Sequence, residues 1–446
     1  MNIEVKPDEL VNALLQRFSN NGLCILDSCG ANHTGSQRLY AGLLPCESFA
    51  IEAAEPNETL DRFDEILAGG KAAVFTISYD LGRKLEGIGD DAETIEPGLF
   101  VSTFDSLLVH DYREHRTWIA GPGSIAETVV DWLGASAVAS LGRKPRARLV
   151  RSNFSRENYI ASVEKIREHI RRGDTYQTNL TQQIAVEVPD GLTPADVYFR
   201  LCRNHPSAFS AYIERSDSTV VSISPERFFR VRNRRIEASP IKGTRPRGKT
   251  AAEDASLQHE LLASEKDRAE NTMIVDLMRN DLGRVCTYGS VKVRELCALQ
   301  TLPTLFHLVS TVEGQLRDDA KPSDILRALF PCGSITGAPK IRTMQIINDI
   351  EPDRRGLSMG AIGIYIPEGF DLTPVLDLSV AIRTMVIRDG ISTFNVGGGI
   401  VIDSDPESEY DESLLKAKAL LNALGASVDD IQTPLSEREQ FETSAV

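Results

Sequence analysis

Residues 211–231 contain Ala211-Tyr212-Ile213-Glu214, then Thr219-Val220-Val221-Ser222-Ile223, then Phe228-Phe229-Arg230-Val231. Each run is rich in β-branched and aromatic residues, the composition of a strand. The gaps between them are too short for a helix, so these strands are not joined by βαβ crossovers. The class is therefore α+β rather than a doubly wound parallel sheet. Working outward, Tyr159, Val163, Ile166 and Ile170 recur at helical spacing, and Gly173 ends that helix. On the C-terminal side the pattern predicts a helix over about 254–282. Strands follow near 290–296, 307–314, 359–366, 375–388 and 392–402, then a helix over about 406–424. Upstream, Ala72-Ala73-Val74-Phe75-Thr76-Ile77-Ser78-Tyr79 looks like a buried strand that ends in the turn Asp80-Leu81-Gly82-Arg83. The basic stretch Arg143-Lys144-Pro145-Arg146-Ala147-Arg148 is the best boundary. It divides the chain into an N-terminal region, 1–146, a larger region, 147–430, and a loose polar tail, 431–446.

With 446 residues, 41% hydrophobic and 25% charged, the composition is that of a soluble globular protein with a large core. A net charge of −15 argues against nucleic acid and anionic membranes as partners. The seven cysteines (Cys24, Cys29, Cys46, Cys202, Cys286, Cys297 and Cys332) are scattered, without a Cys-x-x-Cys pair. That suits reduced thiols better than a disulfide framework or a zinc site. Neither a signal-peptide stretch nor a membrane-spanning run is present, so the expected location is the cytoplasm.

The chemistry centres on Lys242, in Pro240-Ile241-Lys242-Gly243-Thr244, read as a Pro/Gly-bounded turn. Its amine is either a solvated loop cation or a covalent nucleophile. Two acidic pairs sit elsewhere at helical spacing. Asp267 and Glu270 are i, i+3, and Glu409, Glu412 and Lys416 are i, i+3 and i+7. Like charges so placed repel by a few tenths of a kcal/mol, which either a solvated face tolerates or a cation relieves. If the two helices meet, the natural neutraliser is a hard divalent ion such as Mg2+, which needs one or two protein carboxylates and takes the rest of its shell from water and substrate. Gly397-Gly398-Gly399 reads as a glycine turn whose N–H groups would bind a ligand carboxylate. Arg383, in Ala381-Ile382-Arg383-Thr384, offers a bidentate partner to a second carboxylate. Ser334-Ile335-Thr336-Gly337-Ala338-Pro339-Lys340 is either part of the pocket or a plain helix N-cap. His307, among apolar neighbours, has the look of a satisfied core histidine.

In this order these motifs, with Gly173 through Gln182, Ser224-Pro225-Glu226-Arg227-Phe228 and Asp267-Arg268-Ala269-Glu270-Asn271, resemble the chorismate-utilising enzymes over about 156–424. The resemblance implies two large antiparallel sheets packed as a sandwich with helices outside, the N-terminal region contributing strands to it. It also implies the roles. Members that add water carry a lysine where this chain has Gln177, and anthranilate-forming members have alanine where Lys242 stands. Lys242 therefore looks like the nucleophile of the branch that makes 4-amino-4-deoxychorismate, toward para-aminobenzoate and folate; the anthranilate-forming branch is the alternative. Glu226 is implied as general acid/base, with His307 and Thr336 near the ring oxygens. Glu270 and Glu412 are implied as Mg2+ ligands, oriented by Asp267 and Glu409. Gln177, Gly243, Thr244, Tyr365, Arg383, Gly397, Gly398, Gly399 and Lys416 would bind substrate. Attack by Lys242 needs a neutral amine, and moving it from a pKa of about 10.4 to near 7.5 corresponds to roughly 4 kcal/mol.

The nitrogen source implied is ammonia from a separate glutamine amidotransferase chain, since no cysteine here has a Gly-x-Cys-x-Gly context. Ser28, Ser36, Gln37, Arg38, Leu39, Ala208, Phe209 and Ser210 are implied as a tryptophan pocket.

Overall fold

The structure is a computed structural model that describes residues 7–31, 37–89, 95–123, 146–147, 149–301 and 305–432. Two sheets organise it. The first runs Ile431–Gln432, Val150–Ser152, Gln177–Glu187, Ile391–Ile400, Thr384–Arg388, Thr219–Ser224, Phe209–Glu214, Cys24–Asp27, Arg38–Gly42, Leu107–Asp111, Arg116–Ala120. Gly337–Ala338 pairs with Gln177–Glu187 off that path. The second sheet runs Ile241–Pro246, Leu305–Gln315, Arg235–Ala238, Arg227–Arg232, Val375–Val380, Ala361–Ile366, Ala72–Ile77, Leu99–Phe104, Glu47–Ile51. Lys292–Thr301 pairs with Leu305–Gln315. Pairing is antiparallel except between the short Ile431–Gln432 and Val150–Ser152. Strands from before and after residue 146 are hydrogen-bonded neighbours in both sheets, as in Cys24–Asp27 with Phe209–Glu214 and Ala72–Ile77 with Ala361–Ile366.

Apolar side chains from both sheets, among them Ile213 and Val220 from the first and Val74, Phe100 and Ile364 from the second, fill the space between them. Helices cover each outer face. Pro7–Phe18, Pro194–Asn204 and Pro406–Ala423 bury apolar residues against the first sheet. Pro56–Leu67, Glu265–Gly283 and Pro322–Leu329 do so against the second. Ala72–Ile77 and Leu99–Phe104 are buried on both faces, which is why they are mainly apolar without polar alternation, their few hydroxyls (Thr76, Ser102, Thr103) being buried too. All seven cysteines are free. No helix among the described residues is long and apolar enough to cross a membrane.

Three local expectations change. The strand predicted through Tyr79 ends at Ile77, and the predicted turn Asp80-Leu81-Gly82-Arg83 lies in a helix, Tyr79–Leu85, because the Ser78 side chain accepts from the Asp80 N–H and nucleates it. The helix predicted over 254–282 is two, Ala251–Ala263 and Glu265–Gly283. Ser264 leaves helical geometry between them and caps the second through the Asp267 N–H. Most consequential, the single strand predicted over 375–388 is two strands in different sheets: Val375–Val380 lies in the second and Thr384–Arg388 in the first. The chain crosses between the sheets at 381–383.

Candidate active site

The site lies at the seam where the chain passes from one sheet to the other twice. One crossover is Ala381-Ile382-Arg383, with Arg383 at φ 49°, a left-handed conformation that turns the chain sharply. The other is Pro225-Glu226, between Thr219–Ser224 in the first sheet and Arg227–Arg232 in the second. The two crossovers are bonded together. Ser224 Oγ donates to the Val380 carbonyl (2.6 Å), the Val380 N–H to the Glu226 carbonyl (3.1 Å), and the Ile223 N–H to the Arg383 carbonyl (3.1 Å). Sheet switching thus holds the Pro225-Glu226 crossover against the 380–383 crossover, although the two are far apart in sequence.

Lys242 does not lie in a free turn. It belongs to the edge strand Ile241–Pro246, paired opposite Leu308, and the register slips between Lys242 and Thr244. Gly243, at φ 73°, makes that bulge, and a bulge re-aims its neighbour's side chain. A Cβ on Gly243 would press Leu261 Cδ1 at 2.9 Å and Asp267 Cβ at 3.0 Å, so the helix ends pack against bare backbone. Lys242 Nζ donates to Glu270 Oε1 at 2.6 Å, with its side chain 14% exposed. Gln177 Nε2 donates to the same oxygen at 2.7 Å. Burial alone would raise the Glu270 carboxyl, but the charge and hydrogen bond of Lys242, with the Gln177 bond and the Lys266 charge, together hold it below the usual carboxylate range.

Glu226 faces the other way electrostatically. Only 7% exposed, with Oε1 lacking any hydrogen-bond partner, its carboxyl is pushed by burial from the ordinary 4.5 up to about 7. The charge of Lys242 and bonds from Ser334 and the Ile241 backbone hold it from rising further. A carboxyl titrating near neutrality suits proton transfer in either direction.

The remaining assigned residues divide. His307 Nδ1 is 2.9 Å from Thr244 Oγ1, and burial, reinforced by nearby Arg383, lowers its pKa. Arg383 is accessible to solvent yet surrounded by protein, the situation of a cleft wall, and that desolvation lowers its pKa. No carboxylate pairs with its guanidinium among the described residues. Gly397, Gly398 and Gly399 do not form a turn. They continue the strand Ile391–Ile400, in register with Thr181, Leu180 and Asn179. Their lack of side chains is still needed. A Cβ on Gly399 would sit 2.0 Å from Gln177 Nε2 and 3.4 Å from Glu270 Oε1, and one on Gly398 would meet Glu409 Oε2 at 3.2 Å and Lys416 Nζ at 3.4 Å. Lys416 donates to the Gly397 carbonyl (2.8 Å) and pairs with Glu412 (2.8 Å). Glu409 accepts from Ser404 Oγ (2.6 Å), and its carboxyl is raised by burial and by the Glu412 charge.

Four expected contacts fall elsewhere. Thr336 is fully buried and donates its hydroxyl proton to the Cys332 carbonyl (3.1 Å), so it shapes its turn rather than reaching ring oxygens. Tyr365 is paired opposite Leu376, four residues along from the Ala361–Val380 pair at the seam. That is about 14 Å at strand spacing, and its ring packs on the outer core. Asp267 lies against Gly243 and pairs with Arg245 (3.3 Å), supporting the Lys242 bulge. Leu39 alternates to the opposite face of its strand from Arg38 and Tyr40 and is buried with Leu10 and Leu14. Of the other residues assigned to a tryptophan pocket, Ser28, Arg38, Ala208, Phe209 and Ser210 line a gap of about 50 Å3 between the sheets. Gln37 and Arg38 line an adjoining cavity of about 220 Å3, and Ser36 lies outside the described residues.

The donor set tests the implied magnesium. Glu270 stands on the Gly399 side of the glycine strand, and Glu409 and Glu412 on the Gly398 side. The Lys266 ammonium acts on both Glu270 and Glu409. No group of three ligating side chains forms a self-sufficient metal cage among the described residues. All-oxygen donors in ones and twos fit a hard ion that keeps most of its shell from water and substrate, and do not fit a metal that wants thiolate or imidazole ligands.

Residues 28–422 match the family described as chorismate binding enzyme. The chain belongs to that family. Within it, the chain is 38% identical over 389 residues to aminodeoxychorismate synthase component 1 of Bacillus subtilis, covering 84% of this chain and 80% of that one. It is 45% identical over 322 residues to the anthranilate synthase component I-like protein of a Synechocystis species, covering 72% of this chain and 65% of the relative. Its fold is similar to the crystal structure of anthranilate synthase component I from Streptococcus pneumoniae, with a TM-score of 0.75 and 27% identity over 87% of this chain and 93% of that one.

Reading the sequence alone missed Arg355, Glu351 and Lys266. Glu351 and Arg355 are four apart, the one signal that could have drawn attention to them, but they lie beyond the helix Lys340–Ile350.

Proposed function

We propose that this chain converts chorismate and ammonia to 4-amino-4-deoxychorismate, working as the first component of an aminodeoxychorismate synthase. The observation that carries the reading is Lys242, whose Nζ sits 2.6 Å from Glu270 and within electrostatic reach of the near-neutral Glu226. Lys242 passes a proton to its hydrogen-bond partner Glu270 and adds as the neutral amine at carbon 2 of the ring; the double bond shifts and the 4-hydroxyl departs as water, protonated by Glu226. Ammonia then adds at carbon 4, the double bond shifts back, and the carbon 2–nitrogen bond breaks to return Lys242. Two allylic displacements with no net loss of pyruvate leave the enolpyruvyl group in place.

Gln177, fixed on Glu270, forms one wall. Arg383, a desolvated cation on the cleft wall, takes a substrate carboxylate. Thr244 holds His307 in orientation. Glu270 and Glu412 would hold Mg2+, which would neutralise the ring carboxylate when bound; Glu409 is tethered by Ser404 behind them. Ammonia is proposed to come from a separate glutamine amidotransferase, in keeping with the word component in the name of the Bacillus relative. Tryptophan binding would require widening the gap between the sheets.

The anthranilate-forming alternative has the Synechocystis relative's name in its favour. Against it stands Lys242, where that branch carries alanine. The test is product analysis with chorismate, Mg2+ and ammonium. Wild type is expected to form 4-amino-4-deoxychorismate and to show a covalent adduct on Lys242 by mass spectrometry. Lys242→Ala is expected to lose both, with residual turnover diverted toward anthranilate by direct attack at carbon 2. Unchanged aminodeoxychorismate formation by Lys242→Ala would overturn the covalent role.

A further inference from the structure

Arg355 is 3% exposed and lies outside regular structure, in a region with no assigned role. Its guanidinium makes a forked pair with Glu351, Nε to Oε2 at 2.8 Å and Nη2 to Oε1 at 2.7 Å. Its other donors leave the pair for two backbones. Nη1 donates to the Ile335 carbonyl at 2.9 Å and Nη2 to the Asn179 carbonyl at 2.7 Å. Its face lies 4.6 Å from the centre of the Tyr79 ring. Glu351 extends the clamp, because Oε1 also accepts from the Thr181 N–H (2.7 Å) and Thr181 Oγ1 (2.9 Å). Asn395, on the glycine strand, donates to Thr181 Oγ1 at 3.2 Å.

The two backbones so joined carry reacting-site groups one and two residues away. Ile335 adjoins Ser334, which bonds Glu226. Asn179 is two residues from Gln177 on the same face of its strand, and Gln177 bonds the carboxylate that holds Lys242. The same backbones are also paired lower down, Gly337 opposite Thr178 and Ala338 opposite Gln177, and the last of these links, from the Asn179 N–H to the Thr336 carbonyl (2.8 Å), stops short of Ile335 and Ser334, which the ladder cannot hold. A planar five-donor fork can. A charge pair this deeply buried is also poor value as a stabiliser compared with apolar packing, so its geometry is the better account of its presence.

We propose that Arg355, braced by Glu351, is a positioning residue for chorismate amination, holding the Ser334–Glu226 wall at a fixed spacing from the Gln177–Glu270–Lys242 wall. The inference rests on the functional reading above. The experiment is Arg355→Lys in the full chain, with kcat and the KM for chorismate and for ammonium measured per folded molecule, the folded fraction taken from circular dichroism. A point ammonium keeps the charge but cannot span Glu351, Ile335 and Asn179 together. Expected is a fall of at least tenfold in kcat/KM for chorismate, with the ammonium KM unchanged. A purely structural role would lower the folded fraction and leave both constants of the folded molecules as in wild type; constants within twofold of wild type overturn the proposal. Should Arg355→Lys not fold, Glu351→Gln, which keeps shape but weakens the fork, is held to the same criterion. Failure of the functional reading is separately visible, as a wild type that makes another aminated product, on which the same constants are then measured.

Discussion

Replacing Glu226 by glutamine separates the chemical from the structural consequences of its burial. Its carboxyl ionises near 4.5 in an ordinary setting and at about 7 in the fold. At about 1.4 kcal/mol for each pH unit, that displacement corresponds to about 3 kcal/mol. The sign follows from proton counting. Between 4.5 and 7 the folded chain keeps a proton that the unfolded chain has released, so stability falls as pH rises through this window. Below 4.5 both states are protonated and above 7 both are ionised, so the contribution levels off on each side. Glu226→Gln has no charge to bury. It should match wild type near pH 4.5 and exceed it by about 3 kcal/mol at pH 8. With about 2.1 cal/mol/K of unfolding entropy per residue, that is a gain of about 3 °C in Tm for a chain this long. Scanning calorimetry of both proteins at pH 5, 6, 7 and 8 reads it directly. Activity should move oppositely. Loss of the acid that protonates the departing hydroxyl should lower kcat by about 10²- to 10⁴-fold and abolish the limb of kcat/KM that falls as pH rises through about 7. A variant no more stable than wild type at pH 8, or one that keeps this limb, would refute the assignment of a strained near-neutral acid.

Three further outcomes follow from particular contacts. The glycine strand should tolerate alanine in the order 398, 399, 397: Gly398 meets only flexible carboxylate and ammonium ends, Gly399 displaces Gln177 from Glu270, and Gly397 strikes the Leu180 carbonyl at 1.8 Å. Gly399→Ala should raise the chorismate KM with stability nearly kept, whereas Gly397→Ala should lose about 1–3 kcal/mol in urea unfolding. Lys340→Met should lose about 3–5 kcal/mol by the same measurement, because it strands Asp281, whose carboxylate it contacts at 2.6 Å in a buried pair. Chelation with EDTA should abolish amination, and added Mg2+ should restore it. Glu270→Ala and Glu412→Ala should each require more Mg2+ for half-restoration, read by titration calorimetry as well as by turnover.

Local pattern was enough for the α+β class and for most strands and helices within a few residues. Lys242 and the Asp267–Glu270 pair drew attention by their local runs but stayed open as solvated charges, Glu226 and Gln177 were assigned only by the resemblance to the chorismate-utilising enzymes, and the spacing of Glu409, Glu412 and Lys416 fixes a helix face whatever the rest of the chain does. Periodicity reports only the face a residue occupies on its own element. It carried no information on which sheet a strand joins, so 375–388 read as one strand when the chain changes sheets at Arg383. Tyr365 and Leu39 went astray for a related reason: one is displaced along its strand from the seam, the other turned to the far face by alternation, and both depend on register. Long-range pairing alone made the seam, buried Glu226 within reach of the Lys242 charge so that its titration shifts, and brought Arg355 onto two backbones more than a hundred and fifty positions apart. Short-range propensity acts through neighbours along the chain, while burial, charge coupling and crossover geometry arise only when distant segments share one volume. The residue types were therefore written in the sequence, and their protonation and mutual aim were settled by the fold.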